Sequence, residues 1–179
     1  MQNDVERILM TEEEIKEANS KIGAQITKDY QGKELLVVGI LKGSSIFMSD
    51  LIRNINLPLQ IDYMVVSSYG SATESSGVVR IVKDLQHSIE NKHILIVEDI
   101  VDTGLTLAYI KEILQGREPA SIKICTLLDK PARRKKDVKI DYVGAEVPDG
   151  FIIGYGIDYA EYYRNLPYVA ILKPSVYEK

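Results

Sequence analysis

Apolar runs recur along the chain and alternate with amphipathic segments. Residues 35–41, 94–97 and 121–128 are rich in valine, isoleucine and leucine, which is typical of strands that are buried on both faces. Three shorter runs predict a further strand, the returning arm of a hairpin and a short strand, at residues 61–68, 78–82 and 142–145. Strands that alternate with helices in this way predict an α/β fold, with a mainly parallel central sheet flanked by helices.

Three segments carry apolar residues at helical spacing. Thr11 and Glu14 form a capping box before the first of them, and the third is expected to end near Gly116. The apolar stripes are Ile15, Ala18, Ile22 and Ile26; Phe47, Met48, Leu51 and Ile52; and Leu107, Ile110, Ile113 and Leu114. We expect each stripe to pack against the sheet.

Length and charge narrow the class of protein. A chain of 179 residues is long enough for one domain and short for two, so we expect a single domain over residues 1–179. The net charge of −4 gives no general attraction to nucleic acid or to an anionic membrane surface. We therefore expect neither a nucleic-acid partner nor a membrane partner.

The single cysteine and the first residues of the chain indicate the cellular compartment. Cys125 lies in an apolar run and is expected to be a thiol of the core, without an intrachain disulfide. The first residues lack the basic region and apolar block of a signal peptide, and no apolar segment approaches the roughly 20 residues of a membrane span. A cytosolic location is the default expectation.

The densest group of candidate functional residues follows the apolar run at residues 94–97. Glu98 and Asp99 stand where that strand is expected to surface. Asp102, Thr103, Gly104 and Thr106 follow, directly before the third helix. Backbone N–H groups and the positive end of the dipole at a helix N-terminus suit a phosphate. Acidic residues and a phosphate-binding turn therefore share one loop.

Parallel strands bring distant loops to one edge of a sheet. The loops after residues 41, 97 and 128 are expected at the same edge, where open α/β sheets bind their ligands. They carry Lys42 and Gly43, the acidic turn, and Lys130. This collection of cations, anions and phosphate-binding backbone suits a substrate with several phosphates. The chain has no P-loop, dinucleotide-binding, nucleophilic-serine or zinc motif, and His87 and His93 have no ligand spacing.

The acidic turn resembles the diphosphate-sugar signature of the phosphoribosyltransferases, and the whole chain resembles the bacterial hypoxanthine-guanine phosphoribosyltransferases. Four further segments carry the resemblance, at residues 41–44, 68–70, 129–131 and 147–167. It implies the type I phosphoribosyltransferase fold, with a small hood formed by the N-terminal and C-terminal segments and a flexible lid loop. It also implies a homodimer or homotetramer.

The resemblance implies a reaction as well. A phosphoribosyl group passes from phosphoribosyl pyrophosphate to N9 of hypoxanthine or guanine, giving IMP or GMP and pyrophosphate, with Mg²⁺ as cofactor. Asp102 would be the catalytic residue that exchanges a proton at N7 of the purine. Glu98 and Asp99 would meet the ribose hydroxyls and, with Asp158, form the metal-binding set.

Further roles follow from motif position. Thr103, Gly104, Leu105 and Thr106 would hold the 5′-phosphate. Leu105 replaces a lysine found in other members, so its side chain receives no role and the backbone is expected to serve instead. Lys42, Gly43 and Arg164 would bind pyrophosphate, although Ser44 stands where some members have a second glycine, which leaves an altered turn or an unusual peptide geometry open.

The remaining positions concern the base and the lid. Lys130 would donate a hydrogen bond to the purine O6, Phe151 would stack on the ring, and the Ile152 backbone would meet the base edge. Ser68 and Tyr69 lie in a serine-rich loop, residues 67–77, that would close over the site and exclude water.

Two alternatives remain open at this point. A regulator could keep the fold and use phosphoribosyl pyrophosphate only as an effector, and the basic run near Arg133 and Arg134 would then be its nucleic-acid surface. A transferase with a preference for xanthine or guanine is the other alternative, since Lys130 cannot separate purines that all carry a 6-oxo group.

Overall fold

Two β-sheets organise the chain. The computed structural model describes residues 1–68 and 79–178. Its strands are β1 Val5–Met10, β2 Leu35–Leu41, β3 Leu59–Ser68, β4 Val79–Lys83, β5 His93–Val101, β6 Ser121–Asp129, β7 Tyr142–Glu146, β8 Ile152–Ile153 and β9 Val169–Leu172. Its α-helices are α1 Glu12–Asp29, α2 Ser45–Ile52, α3 Leu105–Gln115 and α4 Pro174–Tyr177.

The larger sheet confirms the predicted fold class. Its six strands run in the order β4-β3-β2-β5-β6-β7. Pairing is parallel throughout except between β3 and β4, which form the predicted hairpin. The strands and helices expected from the apolar pattern are all present, with ends that differ by a few residues.

Side-chain alternation along the central strands builds a core on each face of the sheet. Val37 and Leu95 pack with the stripes of α1 and α2, including Ile22 and Phe47. The neighbouring residues of the same strands face the other way and pack with Leu107, Ile110 and Leu114 of α3. Period-two alternation within each buried strand therefore places helices on both faces. Cys125 is buried in the first core, as expected.

The smaller sheet joins the two ends of the chain. Strand β1 pairs antiparallel with β9, which also pairs with β8. This sheet is the hood that the resemblance implied. Met10 and Val169 belong to the same buried cluster as α1 and α2, so the hood packs on the main core. Three of the six residues of β1 are exposed, which explains why the apolar pattern does not predict it.

Strand β5 differs from the prediction in one respect that matters for the site. Glu98 and Asp99 do not follow the strand but lie within it, because parallel pairing with β6 continues to Val101 opposite Asp129. The strand therefore carries the acidic pair past the apolar run. Among the helices of the described residues, none is both long and apolar enough for a membrane span.

The predicted lid falls mostly outside the described part of the chain. The backbone of Ser68 is described at the end of β3, whereas Tyr69 and the rest of the loop to residue 78 lie outside the described residues.

Candidate active site

The carboxyl ends of three adjacent parallel strands form one edge, as the sequence predicts. Strands β2, β5 and β6 lie side by side in the larger sheet. Lys42 follows β2, Asp102 follows β5 and Lys130 follows β6. The three turns therefore meet at the edge where such sheets bind ligands.

The turn between β5 and α3 encloses a small cavity suited to a phosphate. Gly104, at the N-cap of α3, has φ +77°, a left-handed conformation that favours glycine. The Leu105 N–H lies 3.4 Å from the Thr103 hydroxyl oxygen, within the same turn. The cavity measures about 150 Å³, and its lining is Glu98, Ile100, Val101, Asp102, Thr103, Gly104, Thr106 and Leu107. Leu105 contributes backbone to this turn and does not line the cavity.

Arg134 holds the turn after β5 in place through hydrogen bonds, a role that the sequence did not predict. Its Nε donates a 3.0 Å hydrogen bond to the Asp102 carbonyl, and its guanidinium also pairs with the Asp129 carboxylate. The backbone N–H groups of Lys135 and Lys136 donate to the Thr103 carbonyl at 2.9 and 3.0 Å. In sequence the run resembles a solvated stretch of charge, and nothing in it distinguishes Arg134 from its neighbours.

The acidic pair on β5 lies in a half-buried position. Burial raises the pKa of Glu98 well above its ordinary value, and the neighbouring Asp99 charge raises it further. Burial also raises the pKa of Asp99. The Asp99 carboxylate packs so closely on Gly43 that a Cβ at that position would overlap it. A side chain at this position would therefore displace the Asp99 carboxylate from its place beside the turn after β2.

Asp102 stands between two cavities. It lines the phosphate cavity and also a larger cavity of about 450 Å³ beside it. Its Oδ1 is buried and accepts no hydrogen bond from any described residue. A buried carboxylate oxygen without a partner is costly, and such groups are often found at functional sites.

The larger cavity has a lining whose chemistry suits a flat heterocycle. Lys130 is 4% exposed, and its Nζ lies 2.8 Å from the Gly150 carbonyl and 3.1 Å from the Asp149 carboxylate. Phe151 forms part of the wall of this cavity and is 37% exposed. The full lining is Ile100, Asp102, Lys130, Arg133, Asp149, Gly150, Phe151, Ile152, Ile157, Asp158 and Tyr177.

Two tyrosines support the Phe151 ring. Tyr159 meets it edge to face and Tyr177 meets it at a tilt, each with ring centroids 5.1 Å apart. Sequence reasoning did not single out Tyr177, which comes from α4 near the end of the described chain. Ile152 lies in β8, opposite Ile171 of β9, so the hood fixes the position of this wall.

The turn after β2 meets the segment that follows β8. The peptide bond between Leu41 and Lys42 is cis. Gly156 has φ +100° and packs against the Gly43 carbonyl so closely that a Cβ would overlap it. Ser44, the departure from the family pattern, is buried with φ −69°, and its hydroxyl donates to the Ile40 carbonyl at 2.7 Å. The serine therefore fits this turn in an ordinary helical conformation.

Arg164 and Asp158 lie on the same segment and form an ion pair. The Arg164 guanidinium lies 2.8 Å from the Asp158 carboxylate and donates to the Gly156 carbonyl at 2.7 Å. Glu161, which sequence reasoning missed, lies 2.8 Å from Lys42 and 3.4 Å from Arg164. The hydrogen bond from Lys42 and the positive charge of the nearby Arg164 lower the pKa of Glu161. The Glu161 carboxylate is therefore charged at neutral pH.

The carboxylates at this edge are oxygen donors of the kind that Mg²⁺ prefers. Within residues 1–68 and 79–178, no three side chains from Glu, Asp, His and Cys lie close enough together to hold a metal ion. Glu98, Asp99 and Asp158 therefore do not form a closed cage. Mg²⁺ is commonly held by one or two carboxylates together with substrate phosphates and water, and this open arrangement fits that mode.

The comparisons with known proteins agree with this geometry. A sequence profile of the phosphoribosyl transferase domain matches residues 5–160. The chain belongs to the phosphoribosyltransferase family. It is 59% identical over 177 residues to a hypoxanthine-guanine phosphoribosyltransferase of Staphylococcus aureus, and 55% identical over 178 residues to one of Bacillus subtilis. Both alignments cover 99% of each chain.

Solved structures of phosphoribosyltransferases share the fold closely. A hypoxanthine phosphoribosyltransferase from Staphylococcus aureus matches with a TM-score of 0.98 at 58% identity, over 100% of this chain and 97% of that one. A hypoxanthine phosphoribosyl transferase from Trypanosoma cruzi matches with a TM-score of 0.93 at 44% identity, over 97% of this chain and 94% of that one.

Proposed function

We propose that this protein is a hypoxanthine-guanine phosphoribosyltransferase of purine salvage. It transfers the phosphoribosyl group of phosphoribosyl pyrophosphate to N9 of hypoxanthine or guanine, and it releases IMP or GMP and pyrophosphate. The observation that carries the proposal is the position of Asp102. Asp102 lines both a phosphate-sized cavity and the larger cavity that Lys130 and Phe151 also line.

The turn after β5 anchors the sugar phosphate. The 5′-phosphate accepts hydrogen bonds from the turn of Thr103, Gly104, Leu105 and Thr106 at the start of α3, where the helix dipole favours an anion. The ribose hydroxyls donate to Glu98 and Asp99. Donors at these carboxylates favour their charged forms, which offsets part of the cost of burying them.

The larger cavity selects the base. The purine stacks on Phe151, its edge meets the Ile152 backbone, and its O6 accepts a hydrogen bond from the Lys130 ammonium. A lysine has three donors and no acceptor, so the amino group of adenine at the same position would place a donor against a donor. Burial of Lys130 makes that mismatch costly.

Asp102 accepts the proton that the base loses during the transfer. As N9 of the base bonds to the anomeric carbon and pyrophosphate leaves, the base must lose a proton, and the Asp102 carboxylate accepts it at N7. Proton transfer by a side chain needs hydrogen-bond reach and a fixed position. The bond from Arg134 to the Asp102 carbonyl supports that position.

Lys42, Gly43 and Arg164 hold the leaving pyrophosphate. Bound Mg²⁺ would neutralise charge on the diphosphate, with Asp158, Glu98 and Asp99 as the carboxylates available to it directly or through water or sugar oxygens. The loop that begins at Ser68 and Tyr69 is proposed as the lid that keeps water from the activated sugar.

The positions of Arg133 and Arg134 weigh against the alternative of an effector-binding regulator. Its proposed nucleic-acid surface depended on Arg133 and Arg134, and Arg134 points inward with 18% of its side chain exposed. Arg133 pairs with Asp149 at the rim of the purine cavity, 2.9 Å from its carboxylate. Both arginines therefore serve the site.

A panel of bases tests the proposal. Hypoxanthine, guanine, xanthine and adenine are each supplied with phosphoribosyl pyrophosphate and Mg²⁺, and nucleotide is followed by absorbance and chromatography. We expect IMP and GMP, and no AMP. The Asp102→Asn protein is the matched control, since it keeps the shape of the side chain. Failure to form nucleotide from any base would contradict the proposal, and xanthine as the preferred base would favour the second alternative.

A further inference from the structure

The two cations assigned to pyrophosphate share an anionic partner. Glu161 lies on the segment after β8, with Oε2 2.8 Å from Lys42 Nζ and Oε1 3.4 Å from an Arg164 terminal nitrogen. Lys42 itself lies on the turn after β2, in a different part of the chain. The carboxylate therefore bridges the turn after β2 and the segment after β8.

A bridging carboxylate presents the same chemistry as a phosphoryl group. Both offer anionic oxygens to an ammonium and a guanidinium, which bind either group by charge-assisted hydrogen bonds. A pyrophosphate on Lys42 and Arg164 would place its own negative charge beside the Glu161 carboxylate. Neighbouring like charges repel each other, so pyrophosphate and the Glu161 carboxylate compete for the same two cations.

We propose that Glu161 is an internal competitor of pyrophosphate and sets the affinity of the site for the leaving group. Its carboxylate leaves Lys42 and Arg164 when the diphosphate binds and returns to them when pyrophosphate departs. This inference rests on the proposed function, because that function assigns these two cations to pyrophosphate.

The surroundings of Glu161 allow such an exchange. Its backbone is fixed, with φ +70° and a 2.9 Å hydrogen bond from its N–H to the Asp158 carboxylate. Its side chain is 64% exposed and that of Lys42 is 67% exposed. Ion pairs at such exposure are weak, so the carboxylate can turn into solvent while the main chain stays in place.

A positioning role for Glu161 is the opposite hypothesis, and the contacts of Arg164 weigh against it. The Asp158 carboxylate at 2.8 Å and the Gly156 carbonyl at 2.7 Å already orient the guanidinium. The contact with Glu161 is the longest of the three. Removing the Glu161 charge would therefore leave Arg164 in place and remove a competing anion from both cations.

Direct binding of inorganic pyrophosphate tests the proposal. Pyrophosphate in magnesium chloride is titrated calorimetrically into the wild type, Glu161→Gln and Glu161→Ala. We expect both variants to bind about 3-fold to 10-fold more tightly, as fits the loss of one or two exposed ion pairs. Glu17→Gln, a matched loss of an exposed carboxylate on α1, should bind as the wild type does. Unchanged or weaker binding by both Glu161 variants would overturn the proposal.

A double-mutant cycle identifies the cation involved. In a Lys42→Met background, Glu161→Gln should gain less affinity for pyrophosphate than it does in the wild type, because one competed cation is gone. A full gain in that background would overturn the bridging role. The competitor role and the proposed function fail separately. An enzyme that forms IMP with equal pyrophosphate affinity in all Glu161 forms contradicts only the competitor role, whereas absence of nucleotide formation contradicts the function.

Discussion

Arg134 donates from Nε to the main-chain carbonyl of Asp102 at 3.0 Å and pairs at the same time with the Asp129 carboxylate. One guanidinium thus ties the end of β6 to the turn after β5. The residue assigned to proton transfer has its backbone held by a side chain that touches neither proposed cavity.

Loss of this brace should affect stability and phosphate binding together. We expect Arg134→Met to lower the free energy of unfolding by about 1–3 kcal/mol, since hydrogen bonds to a charged partner are lost in a partly buried place. The KM for phosphoribosyl pyrophosphate should rise. Urea unfolding and steady-state kinetics measure the two effects. Lys135→Met removes an exposed neighbouring charge and serves as the control, and an equal loss there would contradict the role given to Arg134.

Asp102→Asn should separate chemistry from binding. The amide keeps the shape of the carboxylate but cannot accept the proton, so turnover should fall by about 100-fold or more. Calorimetry with phosphoribosyl pyrophosphate and circular dichroism should show little change in affinity or fold. Wild-type turnover in this variant would remove Asp102 from proton transfer.

Two glycines with positive φ distinguish backbone strain from close contact. Gly32 has φ +74° and open space where a Cβ would stand, whereas Gly156 has φ +100° and a Cβ there would overlap the Gly43 carbonyl. Gly32→Ala should cost about 1–2 kcal/mol of unfolding free energy from conformation alone. Gly156→Ala should cost more and should also weaken pyrophosphate binding, because the turn after β2 must shift. Thermal unfolding and calorimetry provide the comparison, and equal losses would show that the contact with Gly43 is unimportant.

Glu98 should make the ligand-free protein less stable at neutral pH. Burial raises its pKa in the folded state, while the unfolded chain ionises near the ordinary value of 4.5. The unfolded state therefore loses the proton first as pH rises, and ionisation favours unfolding above that value. Glu98→Gln should be more stable than the wild type at pH 7, and the difference should shrink as pH falls toward 4.5. Urea midpoints measured across this range test the sign, and a variant less stable at pH 7 would contradict it.

Much of the fold was predictable from periodicity. The central strands are continuous apolar runs because both faces are buried, and the helices show clear stripes because each has one buried face. Strand β1 escaped prediction because three of its six residues are exposed, which interrupts the apolar pattern. The end of β5 was placed too early because pairing with β6, which is not a local property, extends the strand through Glu98 and Asp99.

The site was predictable where a motif and strand topology coincide. The meeting of Lys42, Asp102 and Lys130 at one edge follows from parallel strands, and the structure confirms it. Arg134 and Glu161 were missed because their importance depends on contacts with distant residues. Each stands in a stretch of charged or polar residues whose composition is the same whether a side chain faces water or a functional turn.

The pairing of β1 with β9 imposes an order on folding. Strand β1 is translated first, but its partner Val169–Leu172 emerges from the ribosome only after the entire larger sheet has been made. The turn that cradles the phosphate can assemble on a nascent chain, while Phe151 and Tyr177 join the purine wall later. We therefore expect a nascent chain to form the phosphate-binding turn before Phe151 and Tyr177 complete the wall of the purine cavity.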